Sequence, residues 1–168
     1  FIQKNRRITF NHWGLIISST YLVFTLFNKK MVEQAITKTL EAKNIVYSDL
    51  LTVPVGVANL NWYAVAKGTD SLYMQKYSAK SGLREPLHSF PINDGYLTAI
   101  EPEVAKKMKW FAKGFYTVDK EGQKLKFYNL QVDMRGIVEK KGRKAPTQGF
   151  FYLSNYNGKT MVYSGSED

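Results

Sequence analysis

The hydrophobic and polar positions divide the chain into two regimes. From Ile8 to Phe27 run twenty residues without a formal charge. As a helix this stretch would measure roughly 30 Å, about the thickness of a bilayer core. From Val32 the spacing becomes amphipathic. Val32, Ala35, Ile36 and Leu40 share one face, and Glu33, Gln34, Thr37, Lys38 and Glu41 occupy the others. No Pro or Gly interrupts Leu15 to Lys43, so one long helix is expected, apolar first and then the opening element of a globular domain. Strand signals follow at Ile45–Val53, Leu60–Ala66 and Ser71–Tyr77, the last two joined by a turn at Lys67-Gly68-Thr69-Asp70. Residues 78 to 95, with Gly82, Pro86, Pro91 and Gly95, read as irregular loop.

Leu97 to Phe111 predicts a second helix, with Pro102 in its first turn and Val104, Met108 and Phe111 facing inward. Gly114–Asp119, Leu125–Met134, Gly149–Leu153 and Lys159–Tyr163 read as strands, with turns at Asp119–Gly122 and at Asn157-Gly158. The expected class is α+β: a long N-terminal helix and a shorter one packed on a mostly antiparallel sheet of about six or seven strands. Two parts are expected: residues 1–30, a membrane-spanning or membrane-proximal helix with basic flanks, and residues 31–168, an extramembrane α+β domain. A chain starting at Phe1 is expected to be processed or cut from something longer. Asn28-Lys29-Lys30 follows the apolar stretch where a signal peptide would place small residues for cleavage.

The polar residues of the apolar stretch qualify the membrane reading. Ser18, Ser19, Thr20 and Thr25 can bond to their own helix carbonyls at little cost. Asn11 and His12 cost more but lie near one end, as does Trp13. Asn11, Ser18 and Thr25 recur every seventh position, a polar stripe suited to packing against neighbouring helices. Lys4, Arg6 and Arg7 before the stretch outnumber Lys29 and Lys30 after it. That balance favours a cytoplasmic N-terminal flank, hence a periplasmic domain.

Composition narrows the chemistry. There is no Cys, which excludes disulfides, Cys-based zinc sites, iron–sulfur clusters and thiol nucleophiles. His12 and His88 are the only His residues. There is no Gly-rich phosphate loop, no Gly-x-Ser-x-Gly and no His-Glu-x-x-His, and spacing argues for no triad. Lys and Arg number 24 against 14 Asp and Glu, a net charge of +10.

Two basic groups concentrate that charge: Lys140, Lys141, Arg143 and Lys144 in a loop, and Lys106, Lys107 and Lys109 on the second helix, with Lys113 beyond. On a domain carried by a membrane helix they are candidates for resting on anionic head groups, at on the order of 1 kcal/mol each. The sequence disfavours nucleic acid, because the aromatic residues alternate as strand core and no RNP, zinc-finger or helix-turn-helix signature accompanies the charge. Four residues stand out as ligand or partner candidates. Asn59 and Trp62 flank a strand start, where Asn turns the backbone and Trp anchors a core or stacks on a ligand. Asp133 and Arg135 alternate on one strand face, as a surface ion pair or with Arg135 free to take an anion. His88, with Arg84, Glu85 and Asp94 nearby in sequence, lacks the converging donors of a metal site.

The order of motifs carries a resemblance. The helix leads to Val53-Pro54, Asn59-Leu60-Asn61-Trp62, Asp70-Ser71-Leu72-Tyr73, Lys76-Tyr77-Ser78 and Phe90-Pro91-Ile92-Asn93. Then come Trp110-Phe111-Ala112-Lys113-Gly114-Phe115-Tyr116 and Leu130-Gln131-Val132-Asp133-Met134-Arg135-Gly136. From about Asn11 to Leu153 this resembles the C-terminal region of the bacterial membrane-bound metal-dependent hydrolases of the inner membrane. That family's Pro-Thr-Pro-aromatic-Asn pattern reads Val53-Pro54-Val55-Gly56-Val57-Ala58-Asn59 here. The resemblance implies an inner-membrane protein whose divalent metal and catalytic residues belong to an N-terminal multi-helix part. It assigns no catalytic residue, cofactor or metal to the present chain. Membrane lipids and those N-terminal helices are the partners it implies. The alternative reading is a self-standing basic module for anionic lipid head groups or nucleic acid.

Overall fold

A computed structural model describes residues 2–56, 58–83, 86–131, 150–156 and 158–165, with side chains from residue 8 onward. Helix α1 runs unbroken over Ile2–Ala42, as the absence of Pro and the amphipathic second half predict. Only its last part packs on the domain. Val32, Ile36 and Leu40 are buried against Trp62, Ala64, Ala66 and Tyr77. Each such aliphatic side chain contributes roughly 1.5–3 kcal/mol by burial.

Strands β1 (Asp49–Val55), β2 (Asn61–Lys67), β3 (Ser71–Ser78), β4 (Gly82–Leu83) and β5 (His88–Pro91) form one antiparallel sheet. Pro54 is accommodated because β1 is an edge strand. β2 is covered on both faces. Trp62, Ala64 and Ala66 meet α1, while Tyr63 and Val65 point into the second, larger core. A 3-10 helix at Asp94–Ala99 and helix α2 (Pro102–Phe111) then lead to a second antiparallel sheet. Its strands are β6 (Tyr116–Glu121), β7 (Lys124–Asn129), β8 (Phe150–Tyr156) and β9 (Lys159–Gly165), paired in chain order. The layers are therefore α1, the first sheet, and the second sheet with α2, the larger core lying between the two sheets.

The α+β class stands, but a single sheet of six or seven strands does not: the described residues form sheets of five and four strands. The break falls where the 3-10 helix and α2 separate β5 from β6. The sheets are tied there by Val118 N–H to Ile92 O (3.2 Å), Asn93 Nδ2 to Val118 O (2.9 Å) and Thr117 Oγ1 to Pro91 O (2.6 Å). Residues 78 to 95 are less irregular than expected, since β4 and β5 both pair with β3. The second helix starts later than expected. Glu101 is extended (ψ 129°) because the residue before a proline is pushed out of the α region. Ala105 and Met108 are its buried face; Phe111 is exposed and meets Phe151 edge-on at 6.1 Å.

Candidate functional site: the helix junction and a basic groove

Two places bring polar chemistry together. The first is the junction where α1 meets the domain, built around Asn59 before β2. Asn59 sits at φ +50°, a left-handed conformation that Asn tolerates better than most residues. Its amide nitrogen donates to Tyr21 Oη (2.7 Å) and Thr25 Oγ1 (2.8 Å). Its backbone oxygen accepts from Asn28 Nδ2 (3.2 Å) and Trp62 Nε1 (2.9 Å). Tyr21, Thr25 and Asn28 are spaced by four and three residues, so they share one helix stripe. Asn28, Asn59 and Trp62 are buried. Trp62 is core, with no indole face open to a ligand, and Asn59 is the hub that fixes α1.

Beyond this hub α1 is bare. Phe10, Trp13, Leu15, Ile16, Ile17, Leu22, Val23, Leu26 and Phe27 are all more than half exposed. Ser18, Thr20 and Thr25 donate to the carbonyls of Leu15, Ile16 and Tyr21, so these hydroxyls are satisfied within the helix. Among the described residues, however, no helix is long and apolar enough to cross a membrane. The transmembrane reading of residues 8–27 therefore has no support from hydropathy. The polar residues of that stretch, Asn11 and His12 above all, dilute it.

The second place is a groove of about 720 Å³ at the C-terminal end of α2. It is lined by Lys67 from the end of β2, Lys109, Trp110 and Phe111 from the last turn of α2, and Lys113, Gly114 and Tyr116 leading into β6. Helix α2 closes with Ala112 N–H to Met108 O (3.0 Å) and Lys113 N–H to Trp110 O (3.1 Å). Lys113 (φ +48°) and Gly114 (φ +81°) then turn the chain through left-handed backbone. A side chain at 114 would collide with the Lys67 ammonium, which lies across the glycine. Lys109 pairs with Asp94 at 2.8 Å, and the Tyr116 hydroxyl donates to the same carboxylate. Burial alone would raise the Asp94 carboxyl, but the hydrogen bonds from Lys109 and Tyr116 and the Lys109 charge hold it below its ordinary value. The Tyr116 phenol is pushed up by burial and then by the Asp94 bond and charge.

Of the lysines singled out in the sequence, Lys109 and Lys113 line this groove; Lys106 lines a neighbouring cavity of about 560 Å³ and Lys107 is exposed on α2. Lys67 and Trp110 were not legible as site residues. The Trp110–Tyr116 motif was the one signal for Trp110; Lys67 reaches the groove only when the end of β2 packs beside the turn after α2. Lys140, Lys141, Arg143 and Lys144, with Asp133 and Arg135, lie outside the described residues. His88 is half-buried in β5 and stacks on Phe90 (6.5 Å, 26°). Among the described residues no three His, Asp or Glu side chains group to hold a metal. They do not supply the donor set for the metal implied by the family resemblance, and they support no catalytic step through one. No family model, no curated protein and no solved structure matches the chain.

Proposed function

We propose that the chain is a non-catalytic α+β accessory domain, carried by α1 on the membrane part of a larger protein resembling the membrane-bound metal-dependent hydrolases. It shapes substrate access or binds a partner there. The observation that carries this reading is the contrast along α1. Val32, Ile36 and Leu40 are buried in the domain, whereas among the described residues most apolar side chains from Phe10 to Phe27 are more than half exposed. Exposed apolar surface on that scale marks an interaction site. Neighbouring apolar helices and lipid at a bacterial inner membrane, with the domain on the periplasmic side, are the surroundings that suit it. The polar stripe ending at Thr25 suits helix neighbours better than lipid alone.

Fractionation of cells expressing the chain tests the proposal. The expected result is recovery with membranes, with release by non-ionic detergent and not by 1 M salt. Release by salt alone would overturn it, because charge pairing is screened at that ionic strength and apolar contact is not. That result favours the second reading, a self-standing basic module for anionic head groups, which the +10 net charge and the groove beside α2 support.

A further inference from the structure

We infer that the groove formed by Lys67, Lys109, Trp110, Lys113 and Gly114 is a binding site for a phosphate monoester carried on an apolar or ring-bearing body. The groove lies at the far end of α2, so it does not depend on how α1 is covered. Three features support a site there. First, two of the three amines are uncommitted. Lys109 is neutralised by Asp94, but among the described residues neither Lys67 nor Lys113 has an ion-pair partner. Second, Lys67 lies across the turn that follows α2. Its methylenes and ammonium lie over Gly114, where any other residue would displace them. A lysine is ordinarily a strongly hydrated point charge on a flexible stem; with its stem along bare backbone, that charge lies at the groove. Third, Trp110 is 80% exposed at the rim, with Phe111 beside it. An indole in water next to two amines offers a flat apolar face to whatever bears the anion.

The ligand class follows from this set. Point charges without a guanidinium fork suit a phosphate as a centre of charge more than a carboxylate plane. A monoester carries more negative charge near neutral pH than a diester, and two amines match it. About 720 Å³ accommodates a phosphate with a substantial body attached. Asp94 lies beside the groove and repels an anion, but Lys109 and the Tyr116 hydroxyl occupy its oxygens. The same chemistry is presented by the head group of phosphatidic acid and by soluble glycerol 3-phosphate, which serve as the two probes.

The test uses the full chain and the indole N–H signals of its three tryptophans, with Trp110→Phe for assignment. Trp62, buried and bonded to Asn59, is the internal control for folding. A saturable shift of the Trp110 signal with glycerol 3-phosphate, Trp62 unmoved, supports the site with a soluble ligand. Tighter sedimentation with vesicles of phosphatidylcholine plus phosphatidic acid than with phosphatidylcholine alone supports it with a head group. In either arm Lys67→Gln and Lys113→Gln should each weaken binding about fivefold. The double variant Lys80→Gln/Lys120→Gln, which removes the same net charge as Lys67→Gln/Lys113→Gln from exposed positions outside the groove, should bind nearly as wild type. The inference is overturned if neither probe produces the effect, or if the two double variants lose affinity equally. Binding to phosphatidylcholine alone reports on α1, so failure of the accessory-domain reading and failure of the groove are separable.

Discussion

Replacing Asn59 tests how α1 is held. Asn59→Gly keeps the left-handed backbone and removes the side-chain bonds to Tyr21 and Thr25. At about 1 kcal/mol net for each hydrogen bond, the loss should be near 2 kcal/mol. Asn59→Ala removes the same two bonds and adds a methyl-bearing residue at φ +50°. The left-handed region costs an ordinary residue roughly 1 kcal/mol more, so the alanine variant should lose about 3 kcal/mol. The backbone oxygen still accepts from Asn28 and Trp62 in both variants, so the loss should be confined to the upper contact. Urea unfolding in non-ionic detergent gives the totals, and amide hydrogen exchange gives their location. Faster exchange should appear in residues 21–28 of α1, with the second sheet unchanged. If both variants stay within about 0.5 kcal/mol of wild type, less than one net hydrogen bond, the hub does not hold the helix. If they lose the same amount, the argument from backbone conformation fails.

Three further outcomes are expected. Ile36→Ala, emptying a fully buried position between α1 and β2, should cost about 2–5 kcal/mol by thermal or urea unfolding. Gly114→Ala should cost about 1–2 kcal/mol and displace Lys67, so a structure of the variant with Lys67 unmoved would contradict the contact. The Asp94 carboxyl is held below its ordinary value of 3.8, so it is more acidic folded than unfolded and stabilises above that value. The difference between wild type and Asp94→Asn should be constant at neutral pH and shrink as pH falls below about 4; a gap that widens with acid would reverse the sign.

Much of the fold was legible because it depends on spacing along the chain. The unbroken α1, the Lys67–Asp70 turn and the presence of a strand from Leu125 follow from local pattern, although β7 ends at Asn129 and its last three residues are all buried. The division into two sheets was not, because local alternation says which residues pair but not which sheet they join. The short β5 was hidden by Pro91, which is tolerated there at the strand's last position. At the junction, Asn59 and Trp62 stood out from their residue types, yet their partners Tyr21 and Asn28 lie in a helix whose direction only the packed fold fixes. The groove was least legible. A lysine ending one strand and a glycine after a helix meet only once both sheets are assembled.

Ala64 and Ala66 on β2 have no exposed surface and are the thinnest part of the face that supports α1. They act as the fulcrum of a lever. A 41-residue helix is about 60 Å long, and little more than its final third rests on this seat. Enlarging either alanine by a few atoms would tilt the seat by a small angle and sweep the distant tip through several ångströms. The bearing of the arm beyond Tyr21 is therefore set by two methyl groups on β2 acting together with the Asn59 bonds.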